Sequence, residues 1–182
     1  MAATYKAQIN ALQKRVAALE AESAIRAVVA RYMEICDDLG PDAPMKELGQ
    51  LFSNDAVWVG SGKAYKKAFG GHKGRDAIVA FLDTYRTPKP HFASNVHFLT
   101  SESLNVRGER ATGSWVMLQT PSFAVGESFI LAARLQLNFK FEDGAWRISQ
   151  FQTTNLFGRP IEGGWHSSAP IPVPDTKPSE TA

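Results

Sequence analysis

From Ile9 to about Leu39 apolar residues return every three or four positions. Ile9, Leu12, Val16 and Leu19 come first, then Ile25, Val28, Val29, Tyr32 and Cys36, which is the spacing of a long amphipathic helix. The first part is a narrow seam of about two heptads. That is short for a free helix, so the seam is expected to pack on a neighbouring subunit or on its own domain. Gly40-Pro41-Asp42-Ala43-Pro44 stops the helix. A short helix then runs through Leu51 and hands over at Ser53-Asn54-Asp55 to an apolar strand over 56–59, followed by a loop rich in Gly and Lys. Gly74-Arg75-Asp76 opens another helix, over 77–85, which Pro88 and Pro90 end.

The period then changes from helical to alternating. Strand-like runs occupy roughly 92–106, 110–120, 127–142 and 145–157, with Arg107-Gly108-Glu109-Arg110 and Glu142-Asp143-Gly144-Ala145 as turns of a meander. Beyond Phe157 glycine, proline and serine dominate. The tail over 159–182 holds too little apolar surface to offset its ordering entropy, and is expected to be disordered or draped over a partner. Helices first and a long antiparallel meander afterwards predict an α+β domain, its sheet curled round helices packed on one face. The expected division is an N-terminal helical extension over 1–17, one domain over 18–158, and the tail.

Composition narrows the setting. At 182 residues, 44% hydrophobic and 21% charged, the chain fits one domain with a sizeable core. Lys and Arg number 20 against 18 Asp and Glu, and the basic residues are scattered, so no stripe that would follow nucleic-acid phosphates is visible. The N-terminus lacks the apolar run of a signal peptide and no stretch approaches a membrane span, so a soluble, cytoplasmic protein is expected. The single cysteine, Cys36, allows no internal disulfide and reads as a small buried side chain.

Two of the four histidines, His91 and His97, lie six residues apart at the start of the first strand run. Continuous strand would turn both to one side, but His91 directly follows Pro90. It is placed at a pocket mouth or as a turn cap. A metal site is not expected: no His-x-x-Glu or Cys-x-x-Cys supplies a third ligand. Nucleophilic catalysis is not expected either, because Gly-x-Ser-x-Gly is absent and the thiol's nearest charges are acidic. His72 and His166 read as solvent-facing loop residues. Taken alone, His97 is either a core histidine bonded to backbone or a base lacking its partner.

The order and spacing of several segments resemble one family. These are Ala30-Arg31-Tyr32-Met33-Glu34-Ile35-Cys36-Asp37, the run from Leu51 to Trp58, Gly74-Arg75-Asp76-Ala77-Ile78, Asn95-Val96-His97, the turn at 107–111, and the run from Phe141 to Ile148. Over about 18–158 the chain is similar to the SnoaL-like, scytalone-dehydratase-like branch of the nuclear transport factor 2-like superfamily. The resemblance implies a cystatin-like cone: a curved antiparallel sheet wrapped around N-terminal helices and enclosing one pocket, in a homodimer or homotrimer. It also implies a pocket dyad of aspartate and histidine, falling on Asp37 and His97. Helical spacing separately favours Asp37, which follows Val29 and Met33 on the apolar side, over Asp38, which follows Arg31 and Glu34 on the polar side.

The family pattern is not matched throughout. Ser122 falls where scytalone dehydratase has a second pocket histidine, and Ala133 and Leu135 fall near its serine and asparagine, implying a less polar pocket and a different substrate. Tyr32 precedes Asp37 by five residues, as in bile acid 7α-dehydratase, and is read as a phenol donor to substrate oxygen or as helix packing. Trp58, Trp115, Phe98, Met117 and Phe139 are wall or core material. Arg134 alternates with apolar neighbours, facing solvent, a subunit, or the pocket as an anion or carbonyl clamp. Asn95 shares the parity of His97 and either orients substrate or forms a turn.

The expected function is a cofactor-independent acid–base lyase of dehydratase type, acting on a hydrophobic cyclic or aromatic small molecule. Isomerisation, cyclisation and formaldehyde-releasing retro-aldol cleavage use the same parts. A non-catalytic binding module or structural subunit, like the small subunit of ring-hydroxylating dioxygenases, is the reading from another class.

Overall fold

A computed structural model describes residues 2–165 apart from Thr87. His166 and most of the tail read above as disordered or draped over a partner lie outside the described residues. The helical period is realised as one continuous helix, α1 (Ala2–Asp37), followed by the short α2 (Met45–Gln50). Arg31 ties the two together through a bidentate pair with Glu47, at 2.7 and 2.8 Å.

β1 (Phe52–Ser61) leads not into a loop but into a helix, α3 (Gly62–Phe69), then β2 (Gly71–Lys73) and α4 (Arg75–Asp83). Gly62, at φ 78°, breaks the strand. Tyr65 and Phe69, one turn apart, meet at 4.7 Å, and Phe69 packs edge-on against Trp58. Burial of those aromatics, hidden among lysines in the sequence, makes this stretch helical. Gly60 allows the return: a Cβ there would lie 2.6 Å from the backbone oxygen of Tyr65. Arg75 fixes α4 to β1 by donating two bonds to the Phe52 carbonyl.

The run over 92–106 is not one strand. β3 (Phe92–Ser94) pairs with β6 (Ser122–Phe123) in a separate two-stranded sheet, whereas β4 (His97–Arg107) joins the main one. Between them Asn95 is buried, donating its amide to the Cys36 carbonyl at 3.2 Å and accepting from Gln119 at 2.8 Å. With β5 (Arg110–Gln119), β7 (Phe129–Glu142) and β8 (Ala145–Pro160), the main sheet has the order β2-β1-β8-β7-β5-β4. Every neighbouring pair is antiparallel except β1 and β8. Register breaks at Thr100/Ser103, Ala132/Ala133 and Asn138/Phe139 are the bulges that let a long sheet bend. The curved sheet closes on the second half of α1, where Ile25, Val29, Tyr32, Met33 and Cys36 join Leu135, Leu137, Phe139 and Phe151 in one core.

Candidate functional site

The concave side of the sheet holds a cavity of about 290 Å³ between α1, α3, α4 and the β3/β6 pair. Its wall is largely aromatic: Tyr32, Trp58, Tyr65, Phe81, Tyr85 and Phe151 all face it. Trp58 stacks on Phe151 at 5.8 Å and 9°, and lies 5.1 Å from Phe81. His91, which lines the cavity, is also exposed to solvent.

At its edge α1 ends on Asp37 and β4 begins on His97. Asp37 Oδ1 accepts twice from this one residue, from the backbone N–H at 3.0 Å and from Nδ1 at 2.6 Å. An ionised carboxylate only accepts, so Nδ1 carries the ring hydrogen and Nε2 is the basic nitrogen. The His97 side chain lines the cavity and is 11% exposed, while Asp37, at 28%, keeps one flank towards solvent. Asp38 is exposed, as helical parity required. The Asn95 bridge just before His97 anchors the start of β4 to the last turn of α1, so both members of the pair are set by neighbouring backbone.

Tyr32 lies one helical turn inside Cys36. Its hydroxyl accepts from Trp58 Nε1 at 3.3 Å and also shares a hydrogen bond with Cys36. Burial pushes the Tyr32 phenol well above its ordinary value, with a smaller contribution from Cys36 and opposition from the Trp58 N–H. Burial likewise raises the Cys36 thiol to about 12, the hydrogen bond with Tyr32 opposing it, and Tyr85 to about 12. Tyr32, Tyr85 and Cys36 are therefore uncharged at ordinary pH, and Cys36 is no nucleophile.

Of the residues singled out in the sequence, Tyr32, Trp58, His91, His97 and Met117 line the cavity. Asn95, Trp115, Ser122 and Arg134 do not. Trp115 turns its ring into the space beside Gly113, where a Cβ would meet it at 2.4 Å, and donates to Glu102 at 3.3 Å. Asn95 is consumed by the Cys36 carbonyl and the Gln119 side chain. Ser122 is buried against Ser128, hydroxyl to hydroxyl at 2.7 Å. Arg134, with Gln136 and Asn138, is exposed on the outer face of β7, so it does not clamp an anion or carbonyl in the cavity. Phe98, opposite in parity to His97, is also outside, 52% exposed. His72 is not a free loop residue: its ring stacks on Phe81 at 4.1 Å and 17°. Phe69 and Phe81, on short helices, and Tyr85, in the turn after α4, were missed because only the fold defines which way they face; their four-residue spacings, 65/69 and 81/85, were the available signal.

Among the described residues, no group of three or more His, Cys, Asp or Glu side chains is placed to hold a metal ion. No described helix is long and apolar enough to cross a membrane.

Solved structures resemble this fold closely. A hexachlorocyclohexane dehydrochlorinase, LinA-type3 from Novosphingobium barchaimii LL02, superposes with TM-score 0.68 at 18% identity, over 82% of this chain and 95% of that one. A candidate scytalone dehydratase from Novosphingobium aromaticivorans DSM 12444 gives 0.66 at 19%, over 87% and 97%. An NTF2-like protein with a cystatin-like fold, also from Novosphingobium aromaticivorans, gives 0.63 at 24%, over 80% and 88%. No curated protein matches the sequence. The family model of the SnoaL-like domain matches residues 17–152, from the middle of α1 into β8, and the chain belongs to that family.

Proposed function

We propose that the protein is a cofactor-independent lyase that eliminates water or another small leaving group from an uncharged, hydrophobic cyclic or aromatic molecule. The observation that carries this reading is the His97 imidazole, held by Asp37 through Nδ1 on a side chain that lines the cavity. Nε2 takes a proton from the carbon next to the leaving group's carbon. The C–H electron pair becomes the new double bond, and the leaving group departs with its bonding pair. When that group is hydroxide, the proton on Nε2 returns to it and water leaves. Asp37 balances the imidazolium between the two transfers, and Tyr32 donates to a substrate oxygen on which charge develops. The aromatic wall, without a Lys or Arg among the described residues that line it, suits a neutral ring better than a carboxylate or phosphate. The similarity to a dehydrochlorinase and to a candidate scytalone dehydratase supports the same class of chemistry. The dyad serves enone isomerisation equally well, since that reaction also begins by moving a proton from carbon.

The test is incubation with cyclic β-hydroxy ketones and polychlorinated cyclohexanes in D2O. Mass spectrometry follows loss of water or chloride, and proton NMR follows deuterium entering carbon positions. Elimination with the parent and its loss in His97→Asn is the expected result. Exchange or double-bond migration without loss of a group would replace the lyase with an isomerase. A His97→Asn variant that turns substrate over normally would overturn both, and saturable binding with no chemistry would leave a ligand-binding module.

A further inference from the structure

The first half of α1 carries an apolar row that the domain does not use. Tyr5, Ile9, Leu12, Val16 and Leu19 are 51–64% exposed, while from Ile25 onward the same helix is buried in the core. Counting 100° per residue, the row lies roughly 150° round the helix from the stripe containing Ile25, Tyr32 and Cys36. α1 is unbroken from Ala2 to Asp37, so the row faces away from its own domain and cannot be covered by it. Of the two resting places expected for this seam, its own domain is thereby removed.

We infer that the row is the seam of a parallel two-stranded coiled coil with a second copy of this chain. The register sets Ile9 and Val16 at the a positions and Tyr5, Leu12 and Leu19 at d. β-branched residues at a with leucine at d favour two parallel strands. The flanking charges fit a second copy of this chain, and the a/d composition sets the direction. Arg15 occupies a g position and Glu20 the following e position, so a parallel in-register copy places Arg15 of each helix beside Glu20 of the other, twice by symmetry. An antiparallel pairing of the same row sets Arg15 against Arg15 but Lys6 against Glu20 twice, so the parallel direction rests on the β-branched a and leucine d positions. Neither Arg15 nor Glu20 forms an ion pair among the described residues, so both are free for this contact. The folded domain already anchors the helix, which removes most of the nucleation cost that defeats a free two-heptad peptide. The arrangement brings two domains side by side at the C-terminal ends of the coil and is independent of the chemistry in the cavity.

The experiment uses the full chain. Under oxidising conditions Leu12→Cys should give disulfide-linked dimers, because d positions face each other only in the parallel register; Cys36 is buried and does not compete. In sedimentation equilibrium Arg15→Glu should weaken self-association at least about tenfold by creating two like-charge contacts, and Arg15→Glu/Glu20→Arg should restore it. Failure of Leu12→Cys to cross-link, or failure of the double exchange to recover what Arg15→Glu loses, overturns the proposal. A monomeric parent at high micromolar concentration does so as well, and assigns the seam to a different protein.

Discussion

Replacing Asp37 by Asn isolates the charge of the dyad from its shape. In the parent, one carboxylate oxygen accepts from the His97 ring at 2.6 Å and from its backbone N–H at 3.0 Å. A hydrogen bond to a charged group is worth about 1.5–3 kcal/mol, which biases the ring towards the Nδ1–H tautomer roughly 10- to 150-fold. An asparagine whose carbonyl takes the place of Oδ1 keeps both bonds as neutral ones of about 0.5–1.5 kcal/mol. The tautomer preference should therefore shrink about tenfold. Stability should fall by about 1–2 kcal/mol, towards the lower end because Asp37 keeps 28% of its surface in water. Two-bond proton–nitrogen NMR on labelled protein reads the tautomer directly, and urea unfolding reads the stability; neither needs the substrate. On a true substrate the same variant should bind with little change and lose about 10²–10⁴ in kcat, since the amide cannot balance an imidazolium. A parent His97 carrying its proton on Nε2, or an Asp37→Asn protein with unchanged tautomer and stability, would refute the assignment of Asp37 as the group that orients His97.

Tyr32→Phe should cost less rate than either dyad change, about 10²–10³-fold at most for one neutral donor to a developing oxyanion, and should also destabilise the fold by about 1–3 kcal/mol because Trp58 Nε1 loses its acceptor; kcat and thermal unfolding report the two effects separately. Cys36, buried with its thiol raised to about 12, should resist iodoacetamide at pH 8 in the folded protein and react fully once unfolded, as intact mass will record. The Asp55 carboxyl is held down to about 2, from an ordinary 3.8, first by Lys140 and then by Ser53. A carboxyl depressed in the folded state stabilises above its unfolded value, so its contribution is full above about pH 4 and lost as pH falls towards 2. With Asp55 73% exposed the contribution stays under about 1 kcal/mol. The difference in urea midpoint between the parent and Asp55→Asn should therefore be measurable at pH 5 and vanish near pH 2.

What could be read along the chain was whatever depends on local period and on which way a helix faces. The three-and-four spacing specified α1, alternation and turn residues specified β5, β7 and β8, and helical parity alone separated Asp37 from Asp38. The pairing of Asp37 with His97, sixty residues apart, came from the likeness of segment order to a family, because no local rule brings a helix end to a strand start. Tertiary structure decided the rest by competition for space and for hydrogen bonds. Strand parity was consistent with Asn95 facing the cavity, yet the Cys36 carbonyl and Gln119 claim its amide and split one expected strand into two. Trp115 was an aromatic that could face any gap; the missing side chain of Gly113 gave it one away from the cavity. Arg134 fell on the outer face because alternation fixes only that a strand has two faces, and the core on the other side chose between them. The lysine-rich stretch after β1 became α3 because Tyr65 and Phe69 found Trp58, a contact that exists only once the sheet has curled. A side chain's period is local, but its partner is set by the whole fold, so the sequence specified the strongly periodic elements and the tertiary structure specified α3, the break between β3 and β4, and which residues share the cavity.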